Sequence, residues 1–509
     1  MRNKITLQIC LFIFSFFLAQ NVYAINFSDV TELSGLGDRG RGKGVAIADV
    51  NGDGLLDVFI SNKGGGSHLY VNKGDFKFDD FTEEAGLTDI GYCTGSVFGD
   101  VNNDGYIDLY IPKGGVYEVE PNRLLINDGK GHFKDVSKES GVGGLDYSYC
   151  SLLADFDNDG YLDLFVANYG VGSQNRLYHN KGVNTQGIPI FKEITNECGI
   201  GGYKRWSWSG TATDIDNDGK LDLYVVCGRY PNGEKNLMFK NVSTKGNIKF
   251  LDISEQSGTD DPQWGLGAAF ADVDNDGDMD LALSNYVGER TVEMFLNDGT
   301  GHFAKVSKDI GLKHEGWGKG PTFGDIDHDG YLDIYEGDCK WDNQLYHNDT
   351  AAKGKLWFSE ITDQFPFMKC ETVRSKGTAF ADLDNDGDLD IYVVNWETPN
   401  KIFRNEQNDN NWIKVELKGT ISNKSAIGGL VKVYDSQHLG DMKFFKGMRD
   451  VKTSSGFCSM PGLESHFGLD SKKTYDIEAR FPSGIVVTRL NVETGQKIII
   501  EEPMVIGKK

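Results

Sequence analysis

The sequence predicts an all-β chain: a seven-bladed β-propeller followed by a small C-terminal β domain. Three observations carry this. A nine-residue pattern, D-x-[DN]-x-D-G-x-x-D, begins at Asp49, Asp100, Asp155, Asp214, Asp272, Asp325 and Asp382, at intervals of 51 to 59 residues. Alternating apolar residues follow it, as at Leu56, Val58 and Ile60, which is the period of a half-buried strand. The last unit lacks the strand that ends every other unit, and a spare copy of that strand stands near the N-terminus.

Taken in order, residues 1–24 read as a secretory signal. Arg2 and Lys4 precede an apolar run, Leu11 to Leu18, and Val22-Tyr23-Ala24 supplies a small-residue cleavage site, so cleavage is expected after Ala24. The run is short for a membrane span, and no later stretch could cross a bilayer. The expected location is secreted, extracellular or periplasmic. Residues 25–405 hold the repeats. Each unit has a Gly-rich approach strand such as GKGVAIAD, the acidic loop, a second strand (LLDVFISN), a third ending in Asn (HLYVN, NRLLIN, NRLYHN, NLMFKN, VEMFLN, NQLYHN, NKIFRN), and a fourth starting at an aromatic. Four short antiparallel strands at this period suggest propeller blades. Fourth strands start near Phe78, Phe133, Phe191, Phe250, Phe303 and Phe358, one short of the loop count. Phe27–Leu36 is the missing copy, so the ends of the chain are expected to pair and close the ring, which removes exposed edges. A β-solenoid would not predict this permuted strand. Residues 406–509 lack the loops and read as short strands, WIKVELKG, LVKVYDS, TYDIEARF and KIIIEE.

The loops carry the chemistry. Oxygen-bearing side chains at positions 1, 3, 5 and 9, with a carbonyl at position 7 and glycine at position 6, wrap a hard cation; the flexible oxygen cage suits Ca²⁺, at up to seven sites. The candidate ligands are Asp49, Asn51, Asp53, Leu55 and Asp57; Asp100, Asn102, Asp104, Tyr106 and Asp108; and Asp155, Asp157, Asp159, Tyr161 and Asp163. The remaining four loops offer Asp214, Asp216, Asp218, Lys220 and Asp222; Asp272, Asp274, Asp276, Asp278 and Asp280; Asp325, Asp327, Asp329, Tyr331 and Asp333; and Asp382, Asp384, Asp386, Asp388 and Asp390. Plain acidic turns are the bland alternative, but of 28 side-chain ligand positions 26 are Asp and two are Asn. An EF-hand needs Glu at position 12 and flanking helices; six of the seven loops have an aliphatic residue there.

Asp and Glu number 76 against 52 Lys and Arg, a net charge of −24, with no basic stripe, which excludes nucleic acid as a natural partner. After signal removal seven cysteines remain, Cys93, Cys150, Cys198, Cys227, Cys339, Cys370 and Cys458. Export permits disulfides, the odd number leaves at least one thiol unpaired, and buried free thiols are an equal alternative. Neither G-x-S-x-G, H-E-x-x-H nor a P-loop is present, and the histidines show no nucleophile or metal pattern. No catalytic residue is therefore assigned, and a binding protein is expected rather than an enzyme.

With these loops in view, the units resemble the FG-GAP/VCBS repeats of integrin α-chain propellers, over roughly 25–405. SAIGGLVKVYD, SHFGLD and FPSG resemble the ASPIC/UnbV domain found after such repeats in cartilage-acidic-protein-like secreted proteins. Phe481 stands where that family usually has Trp, and Gly429 where it often has Ala. The resemblance implies calcium-dependent extracellular interaction. A carbohydrate-active lyase or hydrolase working in the propeller mouth is the alternative.

For the partner, an extracellular protein or glycan, the residue eight before each loop is the candidate contact. These are Arg41, Tyr92, Tyr147, Trp206, Trp264, Trp317 and Arg374. Five aromatics and two arginines on the face away from the loops could stack on sugars or grip a protein loop; the competing role is packing between blades. Six of the eight tryptophans, Trp206, Trp208, Trp264, Trp317, Trp341 and Trp396, are expected in connections on that face.

Overall fold

The computed structural model describes residues 25–504, except 65, 89, 115–119, 171, 230–232, 287–290, 314, 370–373 and 472. The signal segment, Cys370 and His314 lie outside the described residues.

Each acidic loop joins the first two strands of a four-stranded antiparallel sheet. The described residues form seven such blades. In blade 1 the strands are Gly42–Ala48, Asp57–Asn62, His68–Asn72 and Phe78–Asp80. The first strands of blades 2 to 7 are Val97–Gly99, Ser148–Ala154, Ser207–Thr213, Gly265–Ala271, Gly318–Gly324 and Ser375–Ala381. Neighbouring first strands pack side by side and the last packs against the first, so the blades form a closed β-propeller. Phe27–Asp29 pairs antiparallel with Lys401–Asn405, Phe27 opposite Asn405, and completes blade 7. Apolar residues between blades, such as Phe59, Phe98, Phe165 and Phe239, are fully buried.

The Asn that ends each third strand ties the blades together. Asn180 donates its side-chain N–H to the carbonyls of Val101 in blade 2 and Leu162 in its own blade, at 2.8 and 3.1 Å. Asn72, Asn127, Asn241, Asn297 and Asn348 repeat the pattern, each reaching position 2 of the preceding loop; Asn405 makes the same bond to Ile326. All seven are buried. A second series runs the other way from position 4, where the backbone is left-handed (φ 52–60° at Asn103, Asn158, Asn275 and Asn385). Those four side chains donate to the position-6 glycine carbonyl of the next loop, at 2.8–3.1 Å.

The C-terminal domain has two sheets. One orders Ser465–Gly468, Trp412–Lys418 and Gln496–Glu501; the other orders Phe445–Asp450, Leu430–Asp435, Thr474–Arg480 and Val486–Glu493. All four strands expected from sequence are present. Between them lie Ile413, Val415, Val431, Val433, Tyr475, Ile477 and Phe481. The domain covers the loop face of the propeller: Trp412 packs on Gly387, and Gly468 N–H donates to Asp325.

From this domain the segment around residues 453–460 enters the central channel as a plug. Ser459 and Met460 pair in parallel with Val45 and Ala46, Gly456 bridges Ala268, and Thr453 exchanges bonds with Leu153. The fit needs small residues five positions before each loop: Gly44, Gly95, Cys150, Ser209, Gly267, Gly320 and Gly377. A Cβ on Gly44 would lie 2.0 Å from the Cys458 carbonyl oxygen, and one on Gly320 2.3 Å from the Phe457 nitrogen. At Cys150 the same position forms a disulfide to Cys458. Cys93, Cys198 and Cys227 are buried free thiols, and Cys339 is half-buried. Both cysteine alternatives left open by the sequence therefore occur in one molecule.

Asn180→Ala would leave buried carbonyls in two blades without donors. Each unpaired buried group costs about 1–3 kcal/mol, so urea unfolding should show a loss of about 2–6 kcal/mol for the two.

Candidate metal centres

Position 9 of each loop is set by backbone amides. Asp57 accepts from Val50 N–H at 2.9 Å on one carboxylate oxygen and from Asn72 N–H at 2.8 Å on the other. Asp108, Asp163, Asp222, Asp280, Asp333 and Asp390 do the same with their position-2 residue and third-strand Asn. Each oxygen accepts one N–H and keeps a second lone pair for a cation. Position 1 is aimed by the glycine at position 6. The Gly54 N–H donates to Asp49 at 2.8 Å, and the bond recurs from Gly105, Gly160, Gly219, Gly277, Gly330 and Gly387 at 2.8–3.2 Å. That glycine has φ of 86–99° in every loop, a conformation a side chain would strain.

The remaining oxygens converge. In loop 3, Asp155, Asp157 and Asp163 place ligand atoms within 4.8 Å of one another, as do Asp214, Asp216 and Asp218 in loop 4. Buried carboxylate oxygens without a hydrogen-bond partner occur on Asp157, Asp216, Asp274, Asp325, Asp327, Asp382 and Asp388. Orphaned anionic oxygens at a shared point are what a divalent cation would satisfy, so the donor set fits the metal expected from sequence. Burial pushes the position-9 carboxyls up, Asp57 to about 7 and Asp222 to about 8. Asp155 and Asp272 rise for the same reason, to about 7 and about 8. A cation bound there would displace those protons.

The loops differ by more than the Asn at position 3 of loops 1 and 2, which lowers ligand charge there. The residue before each third-strand Asn adds a second difference, which the sequence reading missed. It is apolar in loops 1, 2 and 5 (Val71, Ile126, Leu296) but His179, Lys240, His347 and Arg404 in the others. His179 Nε2 lies 3.3 Å from Asp157 and 3.7 Å from Asp159; burial opposes its charge, but these carboxylates push it up to about 9. Lys240 contacts Asp216, and Arg404 contacts Asp384 and Asp386. The C-terminal domain adds Lys414 on Asp382 at 2.5 Å and Arg480 on Asp214 at 2.7 Å. Loops 4 and 7 thus carry built-in cations. His328, at position 4 of loop 6, departs from the Asn series and reaches Asp409 at 2.8 Å.

The seven residues at position −8 do not form one open ring. Arg41, Tyr92, Trp206, Trp264 and Trp317 pack at the end of the second strand in the preceding blade, and Tyr147 at that of its own. Trp206 meets Tyr169 at 4.5 Å between ring centroids, and Trp317 meets Tyr286 at 4.9 Å. Arg41 lies over Trp396, Lys63 over Tyr92, Tyr147 beside Gly170, and Trp264 on Gly228. Tyr92 is 5 % exposed, which removes it as a contact residue, whereas Arg41 and Arg374 are exposed. Trp208 is a correction of another kind: it lies inside a first strand, buried, its indole N–H donating to Gly228. No helix of the described residues is long and apolar enough to cross a membrane.

Residues 49–111, 116–166, 155–225 and 284–336 match the FG-GAP-like repeat, and residues 419–506 match ASPIC and UnbV. The β-propeller of this chain carries FG-GAP-like repeats, and an ASPIC and UnbV domain follows it. Its relatives include cartilage acidic protein 1 of Xenopus tropicalis, 25% identical over 484 residues, 88% of this chain and 71% of that protein. The protein of the same name from Homo sapiens is 24% identical over 389 residues, 71% of this chain and 54% of its own. A solved structure of BBS1N in complex with ARL6DN aligns at 10% identity and a TM-score of 0.44, covering 72% of this chain and 95% of that chain.

Removing a partner from a buried ion pair costs about 3–5 kcal/mol. Lys414→Met, stranding Asp382, should therefore destabilise the protein by about that much in chelator, and millimolar calcium should recover part of the loss in denaturant unfolding.

Proposed function

We propose that this chain is an extracellular calcium-binding propeller that holds a partner protein or glycan in adhesive contact. The observation that carries the reading is the set of orphaned carboxylate oxygens in the acidic loops. Calcium held by positions 1, 3, 5 and 9 would neutralise clustered charge; seven ions would bring the net charge from −24 to about −10. The predicted signal, the Cys150–Cys458 disulfide and the likeness to cartilage acidic protein 1 support an extracellular setting. The C-terminal domain covers the loop face, so the opposite face is the one left for a partner.

A second reading, a carbohydrate-active enzyme working in the mouth, draws on one observation. Lys43 donates to the Tyr149 hydroxyl at 2.9 Å, and burial with repulsion from Lys319 and Lys63 pulls it down to about 7, so it can exchange a proton near neutrality. New reducing ends released from a bound glycan would establish that reading over simple binding.

The adhesive reading is tested with residues 25–509 on arrayed glycans and extracellular proteins, in millimolar calcium and in chelator. Binding is expected in calcium only, together with a melting temperature that falls on chelation. A chelator-indifferent melting temperature would sink the structural role of calcium. Lys240→Leu should raise the calcium affinity of loop 4, read by titration calorimetry, because Lys240 contacts Asp216, a ligand the ion needs.

A further inference from the structure

Six residues before each loop, the first strands point into the mouth of the channel on the face away from the C-terminal domain. That position is Lys43, Thr94, Tyr149, Trp208, Leu266, Lys319 and Lys376 in blades 1 to 7. The plug tip, Phe457, floors the mouth, so it is a bowl rather than a pore; Phe457 packs with Tyr149 and Leu266. One half of the wall is cationic: Lys319, Lys376 and Lys43 come from the consecutive blades 6, 7 and 1. The other half is aromatic. Tyr149, Trp208, Tyr169 and Trp206 form a continuous series with centroids 4.2–4.9 Å apart, in which Tyr149, Trp208 and Tyr169 are buried and Trp206 is half-buried. Trp264 and Tyr286 extend it.

The three lysines lack carboxylate partners. No ion pair among the described residues includes them; Lys43 lies 4.9 Å over Trp396 and Lys319 4.2 Å over Tyr286. The nearby carboxylates are otherwise engaged. Asp338 accepts from the backbone amides of Trp317, Lys340 and Trp341 at 2.6–2.7 Å. Glu336 is wholly buried, accepts from Ser284 and the Lys319 amide, and is pushed up to about 8 by burial, so it is largely neutral at pH 7. Burial pulls all three lysines down, Lys376 well below its ordinary value; repulsion from neighbouring lysines adds to it at Lys43 and Lys376, while Cys339, Asp338 and Glu336 oppose it at Lys319. A confined cluster of like charge with no directly ion-paired carboxylate is stabilised by an anion from outside.

We propose that this bowl binds a uronate-bearing saccharide, with the carboxylate held between Lys43, Lys319 and Lys376 and the sugar ring laid on the half-buried rings of the arc, Trp206, Trp264 and Tyr286. The proposal rests on the binding reading above and names its ligand. Pyranose C–H bonds carry partial positive charge and sit on the negative face of an aromatic ring, which matches an arc next to a cationic pocket. An extended acidic peptide is the weaker fit. It would bring backbone groups that want a strand edge, and the plug already lies along the inner edges of the first strands at Val45, Ala46 and Ala268.

The test is calorimetric titration of the mature protein in calcium at pH 6 with a cellouronate hexamer and with cellohexaose, which differ only in the carboxylates, and with hexaglutamate. Cellouronate should bind, cellohexaose at least about tenfold more weakly, and Lys43→Met, Lys319→Met and Lys376→Met should each cost about tenfold or more. Lys376→Arg should retain most of the affinity, and melting temperatures will show that each variant folds. Affinity should fall from pH 6 to pH 9 as Lys43, faced by Lys319, Lys63, Cys339 and Tyr149, gives up its proton. Equal binding of cellohexaose, equal binding of hexaglutamate, no binding of cellouronate, or binding unchanged in the triple Lys→Met variant would each overturn the proposal. Calcium-dependent array binding that survives in the triple variant would leave the adhesive reading standing without it.

Discussion

The aspartate at position 9 is where the architecture is decided. One carboxylate joins three pieces of backbone: the loop it belongs to, its own strand, and the third strand through the amide of the terminal Asn. That Asn spends its side chain on the preceding blade. The geometry of each loop is therefore tied to the spacing between blades. A propeller with narrow apolar seams needs such a tie, because packing alone is tolerant of small rotations, whereas a buried amide aimed at a carbonyl is not.

The plug gives the two domains one core. Strand residues facing the axis of a propeller would ordinarily line a water-filled channel. Here five of seven positions at the level of the plug are glycine, and the chain of the second domain fills the space they leave. The loop face is covered as well, with Lys414 and Arg480 set on loop aspartates. The free surface of the propeller is reduced to its far side, which is why the chemistry of the bowl bears on function.

Much of this was legible. The acidic loops, their strand context and the displaced strand at Phe27 follow from spacing and period alone, because those signals are local in the chain. The roles of the third-strand Asn, of glycine five before the loop, and of Lys-Gly at Lys43, Lys319 and Lys376 were written in the same repeats and went unread. Each depends on what the neighbouring blade or the second domain places opposite, and one strand does not show that. The position −8 series left two roles open for the same reason: Tyr92 and Trp264 are aromatic at regular spacing, and only the fold shows that what they meet is the preceding blade. The split of loops by the residue before the third-strand Asn, such as Leu296 against Lys240, was visible as a column of residues but had no meaning until the basic side chains were seen against the aspartates.

The link between Cys150 and Cys458 spans 308 residues of chain. If the protein is tethered at both ends, as an adhesive molecule would be, tension arriving from the C-terminal end crosses to blade 3 through the sulfur bridge. It bypasses the last three strands of blade 3, blades 4 to 6 and the first three strands of blade 7. The mechanically weak element is then the short non-covalent strand at Phe27–Asp29, which would peel first, while the acidic loops from Asp155 to Asp390 lie in a part of the chain that carries no load.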